Sequence, residues 1–92
     1  MDFDWDPQKA IGNVSKHGVS FKEAKTVFDN PLAVIFDDEI NSENEQREII
    51  VGHSSYNRLL IVSFTERPSS IRLISARLVT PKERDRYERS LF

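Results

Sequence analysis

The chain contains no cysteine, which removes disulfide cross-links and thiolate chemistry together and fits a reducing compartment. No apolar run approaches the roughly 18 residues that a membrane helix needs. The opening residues Met1-Asp2-Phe3-Asp4 are acidic, where a secretory leader would be basic. A soluble, cytoplasmic protein without membrane association is therefore expected. Glycine is scarce, and Gly12, Gly18 and Gly52 are scattered, so no glycine-rich loop is available to cradle a phosphate. His17 and His53 stand far apart without ligand spacing, and the expectation is no metal and no cofactor. No G-x-S-x-G elbow supports a serine nucleophile. Lysine almost vanishes from the second half, where Lys82 stands alone among arginines.

Ninety-two residues can build one modest core, so a single domain over residues 1–92 is expected. Charge is unevenly divided. Residues 1–46 carry four Lys/Arg against ten Asp/Glu, a net −6, and residues 47–92 carry nine against five, a net +4. The planar fork of arginine matches phosphate geometry, so the basic half suits a polyanion and the acidic half a basic protein. The same asymmetry is also met if the two halves simply attract one another.

Phe3 and Trp5 alternate with Asp2, Asp4 and Asp6, the pattern of a short strand with one apolar face. Asp6-Pro7 then opens a helix, with Asp as N-cap and Pro at the first position. Ala10, Ile11, Val14 and His17 are its expected inner stripe, and Gly18 its stop. Ser20-Phe21-Lys22-Glu23 has the form of a capping box. It opens a second helix that buries Phe21, Ala24, Val27 and Phe28 and ends at Asp29-Asn30-Pro31. Strands are expected from Leu32 to Phe36, Arg47 to Gly52, Arg58 to Arg67 and Ile71 to Val79. The acidic run Asp37 to Gln46 reads as an exposed hairpin loop and the most mobile segment. Thr80-Pro81-Lys82-Glu83 opens a last helix to about Ser90, with only Tyr87 and Leu91 to dock it. The order indicates an α+β domain with a small, mostly antiparallel sheet, two N-terminal helices packed on it and a C-terminal helix.

The chemistry concentrates between Ser63 and Tyr87. Strict alternation in the last strand puts Arg72, Ile74, Ala76 and Leu78 on one face and Ile71, Leu73, Ser75, Arg77 and Val79 on the other. Arginines in so apolar a strand need anions, either internal carboxylates or a ligand phosphate. If Pro68-Ser69-Ser70 turns a hairpin, Thr65 and Arg67 share a face with Arg72 or Arg77, depending on register. His53, at a strand end, is either an exposed histidine or a general acid or base. Glu66 could act as a base or simply pair with a neighbouring cation. His17 reads as structural, and Tyr87 more as a docking residue than as a catalyst.

W-D-P-x-K (Trp5 to Lys9), Asn13, K-H-G-V-S-F-x-E-A (Lys16 to Ala24), Val27-Phe28, Pro31, T-E-R (Thr65 to Arg67), I-R-L-I-S-A-R (Ile71 to Arg77) and E-R-x-x-Y-E (Glu83 to Glu88) resemble the BrnT toxins of bacterial type II toxin–antitoxin systems. The resemblance spans Trp5 to Glu88. It implies a fold similar to RelE-type ribonucleases and metal-free endonucleolytic RNA cleavage that halts translation. It also implies neutralisation by a BrnA-type antitoxin whose other end binds DNA, with toxin–antitoxin pairs able to dimerise. By that likeness Arg67, Arg77 and Tyr87 are site residues, with Arg72 and His53 behind them. Guanidinium groups of Arg67 and Arg77 would hold the scissile phosphate, and His53, Glu66 or Tyr87 would move the proton. Arg58, Arg72, Arg47, Lys82 and Arg84 would bind RNA. Two departures from the family pattern are Asn30, where an aspartate is usual, and Tyr87, which sits on a helix instead of a strand end. The rival readings are a non-catalytic binding module for an acidic protein or a nucleic-acid backbone, and a surface used only for dimerisation.

Overall fold

The computed structural model describes residues 1–39 and 45–91. The strands are β1 Phe3–Asp4, β2 Val34–Asp37, β3 Glu48–His53, β4 Leu59–Arg67 and β5 Ser70–Leu78, and the helices α1 Pro7–His17, α2 Phe21–Ala24 and α3 Pro81–Ser90. The strands form one sheet in the order β1-β5-β4-β3-β2. Only β1 runs parallel to its neighbour, so the expected α+β, mostly antiparallel architecture is the one observed. No helix among the described residues is long and apolar enough to cross a membrane.

The helix starts follow the local chemistry. Asp6 accepts from the Gln8 amide at 2.8 Å, Pro7 fills the first position, and Gly18 closes α1 at φ 68°, a left-handed conformation that costs glycine little. At α2 the expected capping box is half made. Ser20 accepts from the Glu23 amide, but the Glu23 carboxylate points inward to Ser54 and Arg58. The helix continues as a 3-10 turn, Lys25–Asp29, and buries Phe21, Ala24 and Val27 as the pattern indicates.

The stripe on α1 is corrected. Ile11 is 65% and Val14 50% exposed, whereas Asn13 is buried. The inner face therefore runs through Ala10, Asn13 and His17, the 3–4 spacing of a helix face with a polar residue at its centre.

α1 and α2 cover one face of the sheet, where Ile50, Leu60, Val62, Phe64, Ile71, Leu73 and Ala76 meet Val19, Phe21, Ala24 and Val27. Rings interlock through this layer: Phe28 stands edge-on to both Phe3 and Phe64 at 5.0 Å between centroids. Gly52 lies under it because a Cβ there would fall 2.8 Å from that of Ala33, too close for any side chain. On the second face Val51, Leu59 and Tyr87 form a smaller cluster under α3.

One irregularity decides where the arginines point. Ser63 pairs with Ser75 but Phe64 with Leu73, which leaves Ile74 as an extra residue in β5. Such a bulge resets the alternation. Ile71, Leu73 and Ala76 all enter the helix-covered core, while Arg72 and Arg77 both face the other side. Arg72 and Ala76, expected on one face, lie on opposite ones.

The expected mobile loop from Asp37 to Gln46 lies partly outside the described residues, at 40–44. At its base the Asp38 amide donates to the Arg47 carbonyl at 2.9 Å.

Candidate functional site

The second face carries the odd-numbered residues of β3 and β4, with Arg72 and Arg77 from β5. Cross-strand partners share a face in an antiparallel pair. Thr65 is opposite Arg72, and Ile61 opposite Arg77. Thr65, Arg67, Arg72 and Arg77 therefore share one face; either register alone would have brought only one of the two β5 arginines there, and the bulge at Ile74 brings both.

They do not converge at one point. Arg77 lies opposite Ile61, and Arg67 is six positions further along β4, about 20 Å at the usual rise per residue. The expectation that Arg67 and Arg77 grip a single phosphate is corrected to two groups at opposite ends of a strand pair.

The α3 end holds Arg77, Glu83, Tyr87 and His53. Both terminal nitrogens of Arg77 donate to the two carboxylate oxygens of Glu83 at 2.8 Å. Glu83 Oε1 also accepts from the Thr80 amide, and Thr80 Oγ1 from the Glu83 amide, so the expected capping box is complete here. The guanidinium holds the Glu83 carboxyl down at about 2. It is in turn held charged by that carboxylate. Tyr87 is buried and its phenol donates to the Leu32 carbonyl at 2.9 Å, while burial raises its pKa. The half-buried ring of His53 meets Tyr87 edge-on, 6.3 Å between centroids.

Between α3 and the strands lies an open cleft of about 380 Å³, floored by Phe36, Ile49, Val51 and Ile61, with Asp37 at its β2 side, and walled by Glu83, Arg86 and Tyr87. These wall residues follow the helical i, i+3, i+4 spacing. Arg86 was missed in the sequence, although its place one residue before the docking Tyr87, and three after Glu83, is the signal that could have found it. Lys82 and Arg84 are exposed and do not line the cleft.

At the other end Arg67 pairs with Glu45 at 3.1 Å, and Arg72 with Asp4 at 3.2 Å. Glu66 takes the phase of Val62 and Phe64 and so turns to the helix-covered side. There it and Asp37 join burial in raising the pKa of Glu48, with burial the larger cause. Arg47, half-buried, stands just before β3. Arg58 leaves the second face altogether: Nε and Nη2 bond the buried Glu23 carboxylate, and Nη2 also reaches the Gly18 carbonyl at 3.2 Å. Among the described residues no three His, Cys, Asp or Glu side chains are grouped to hold a metal ion.

A family model described as the ribonuclease toxin BrnT of type II toxin–antitoxin systems matches residues 5–83. Among solved structures, the ribonuclease toxin BrnT of Brucella abortus aligns with a TM-score of 0.69 at 23% identity, covering 87% of this chain and 97% of that one. At that identity the likeness speaks for the fold. A search of curated proteins finds no match. The family match covers most of the chain, including the Trp5 to Lys9 motif, both strand arginines and the start of α3 through Glu83, and on that ground the chain belongs to the BrnT family of ribonuclease toxins of type II toxin–antitoxin systems.

Proposed function

We propose that this chain is a metal-independent endoribonuclease that inhibits translation and is neutralised by a BrnA-type antitoxin, the pair binding promoter DNA through the antitoxin and able to assemble as a dimer of pairs. The observation that carries the reading is the placement of Arg77, His53 and the open cleft at one end of one sheet face, with Arg72 and Arg67 further along it. An RNA strand laid across this face meets cations at intervals, as backbone tracking requires.

In the proposed reaction the ribose 2′-oxygen attacks phosphorus and the bond to the 5′-oxygen breaks. The products are a 2′,3′-cyclic phosphate and a 5′-hydroxyl. One proton leaves the 2′-hydroxyl and one is delivered to the departing oxygen. Charge grows on the phosphoryl oxygens in between. A guanidinium already oriented by Glu83 meets that charge without having to reorganise, which is where fixed donors contribute most. Proton transfer is assigned to His53. Tyr87 has its phenol engaged with Leu32 and its pKa raised, and Glu66 turns to the other face.

Incubating the purified chain with RNA in EDTA tests this. Cleavage is expected, and Arg77→Ala should reduce it about a hundredfold or more with an unchanged circular dichroism spectrum. Undiminished cleavage by the Arg77→Ala variant removes the role of Arg77. A rival binding-module reading is favoured by the ion pairs of Arg58, Arg67, Arg72 and Arg77, and RNA binding without cleavage decides for it.

A further inference from the structure

Arg58, Arg67, Arg72, Arg77 and Arg89 each meet a carboxylate. Arg86, on the wall of the α3 cleft, has no ion-pair partner among the described residues. The other polar groups of the cleft are engaged: Glu83 holds Arg77 and the Thr80 amide, the Tyr87 phenol donates to Leu32, and Asp37, which also lines the cleft, accepts from the Gln46 side-chain amide at 3.3 Å. The cleft thus offers a ligand an apolar floor and one free guanidinium.

We propose that this cleft seats a guanine base of the RNA substrate, read by Arg86. The inference rests on the ribonuclease reading and names the specificity of that same site. The volume of about 380 Å³ falls in the range of small-ligand pockets, roughly 300–1,000 Å³. A phosphate could pair with Arg86 but would shed water against Phe36, Ile49, Val51 and Ile61 without compensation from that floor, whereas the face of a base buries apolar area there. Unpaired bases are commonly held in this way, by stacking and by contacts to their edges. The edge is selected by the donor set. Arginine offers N–H donors in a fixed fork and no acceptor, so it matches adjacent acceptors, and guanine presents O6 and N7 side by side. Adenine places an amino donor where O6 would be, setting donor against donor. Pyrimidines are smaller and cover less of the floor.

The test is titration of the isotope-labelled chain with GMP, AMP, CMP and UMP, followed by NMR, for the wild type and for the Arg86→Lys and Arg86→Ala variants. Arg86 is exposed, so both variants should fold. GMP is expected to bind about ten- to a hundredfold more tightly than AMP, with shifts at Phe36, Ile49, Val51 and Ile61. Arg86→Lys keeps the charge and loses the fork, so it should retain nucleotide binding but lose the preference for GMP. Arg86→Ala should weaken both. Equal affinity for the four nucleotides, shifts confined to other parts of the fold, or an Arg86→Lys variant that still prefers GMP each overturns the proposal. Mapping cleavage sites on mixed-sequence RNA separates the two layers. RNA cleaved without regard to guanine removes the guanine pocket and leaves the ribonuclease reading in place. GMP selectivity in a chain that cleaves no RNA does the reverse.

Discussion

The side chain of Asn13 bonds both backbone groups of Ala76: Nδ2 donates to the Ala76 carbonyl at 2.8 Å, and Oδ1 accepts from the Ala76 amide at 3.1 Å. β1 pairs with β5 only at Ile71 and Arg72, so β5 would run on with an open edge. Asn13 supplies there what a neighbouring strand would have supplied. Its Nδ2 also donates to the Val19 carbonyl at 2.8 Å, which ties the end of α1 to the start of α2.

Asn13→Ala is therefore expected to destabilise the chain by about 3 kcal/mol, since it strands buried backbone groups without partners. Urea denaturation should show a lower midpoint at unchanged slope. A loss below about 0.5 kcal/mol would mean that water or a local shift replaces the amide. Ile11→Ser, on the same helix but exposed, should change stability by less than about 0.5 kcal/mol.

The α1 stripe shows what the sequence could and could not disclose. Ile11 and Val14 are apolar and sit close to the right phase, and hydrophobicity alone prefers them to Asn13. Only the tertiary position of an unpaired strand edge makes an amide the better inner residue. In the same way, period-two reading assigned Arg72 and Ala76 to one face because nothing in the sequence announces the bulge at Ile74. Punctuation fared better. Asp6-Pro7, Gly18 and Thr80-Pro81-Lys82-Glu83 act within a few residues, so helix starts and stops were legible where faces were not. The site followed this division. Its arginine-rich strands were visible, but the distance between Arg67 and Arg77, the cleft and Arg86 all depend on register and on how α3 lies across the sheet.

The Glu23–Arg58 pair should behave as an internal tie. Glu23 is buried, accepts from the Ser54 hydroxyl at 2.7 Å and binds Arg58, which is partly exposed. Arg58→Ala leaves that carboxylate underground with one hydroxyl donor, at an expected loss of about 2 kcal/mol after allowance for solvent around the guanidinium. The Arg58 hydrogen bond is the largest cause lowering the Glu23 pKa. The stabilisation is thus fully present above the unfolded carboxyl value near 4.3 and lost as pH falls through the depressed folded value. Thermal unfolding of the wild type and Arg58→Ala should converge in acid and diverge toward neutrality. Parallel curves would count against the tie.

Glu48 has the opposite sign. Burial first, then Glu66 and Asp37, raise its pKa, so the folded state binds its proton more tightly than the unfolded chain does. Its ionisation destabilises the fold as pH rises through this raised value. Glu48→Gln removes that charge and should raise the melting temperature at pH 7 by a few degrees, with the gain shrinking below pH 4. A gain that persists undiminished at pH 3 would assign it to packing instead.

Glu83 serves two structures at once, the cap of α3 and the fork of Arg77, and substitutions can separate them. Thr80→Ala removes the hydroxyl from the Glu83 amide but leaves the carboxylate on Arg77. It should cost about 1 kcal/mol with RNA cleavage near the wild-type rate. Glu83→Gln keeps an acceptor for the Thr80 amide but replaces the ionic bidentate contact by a neutral one. At neutral pH it should lose about 1–2 kcal/mol, the downward pKa shift discounted for the partial exposure of both side chains. It should also lose activity, because the guanidinium is no longer held in one orientation. The pH dependence follows from the depressed value of about 2: the pair contributes in full above about pH 4.5 and fades as pH falls toward 2. Glu83→Gln should therefore match the wild type in stability near pH 2 and trail it at pH 7. If Thr80→Ala and Glu83→Gln lose activity equally at matched stability, Arg77 needs only the helix cap and not the carboxylate that grips it.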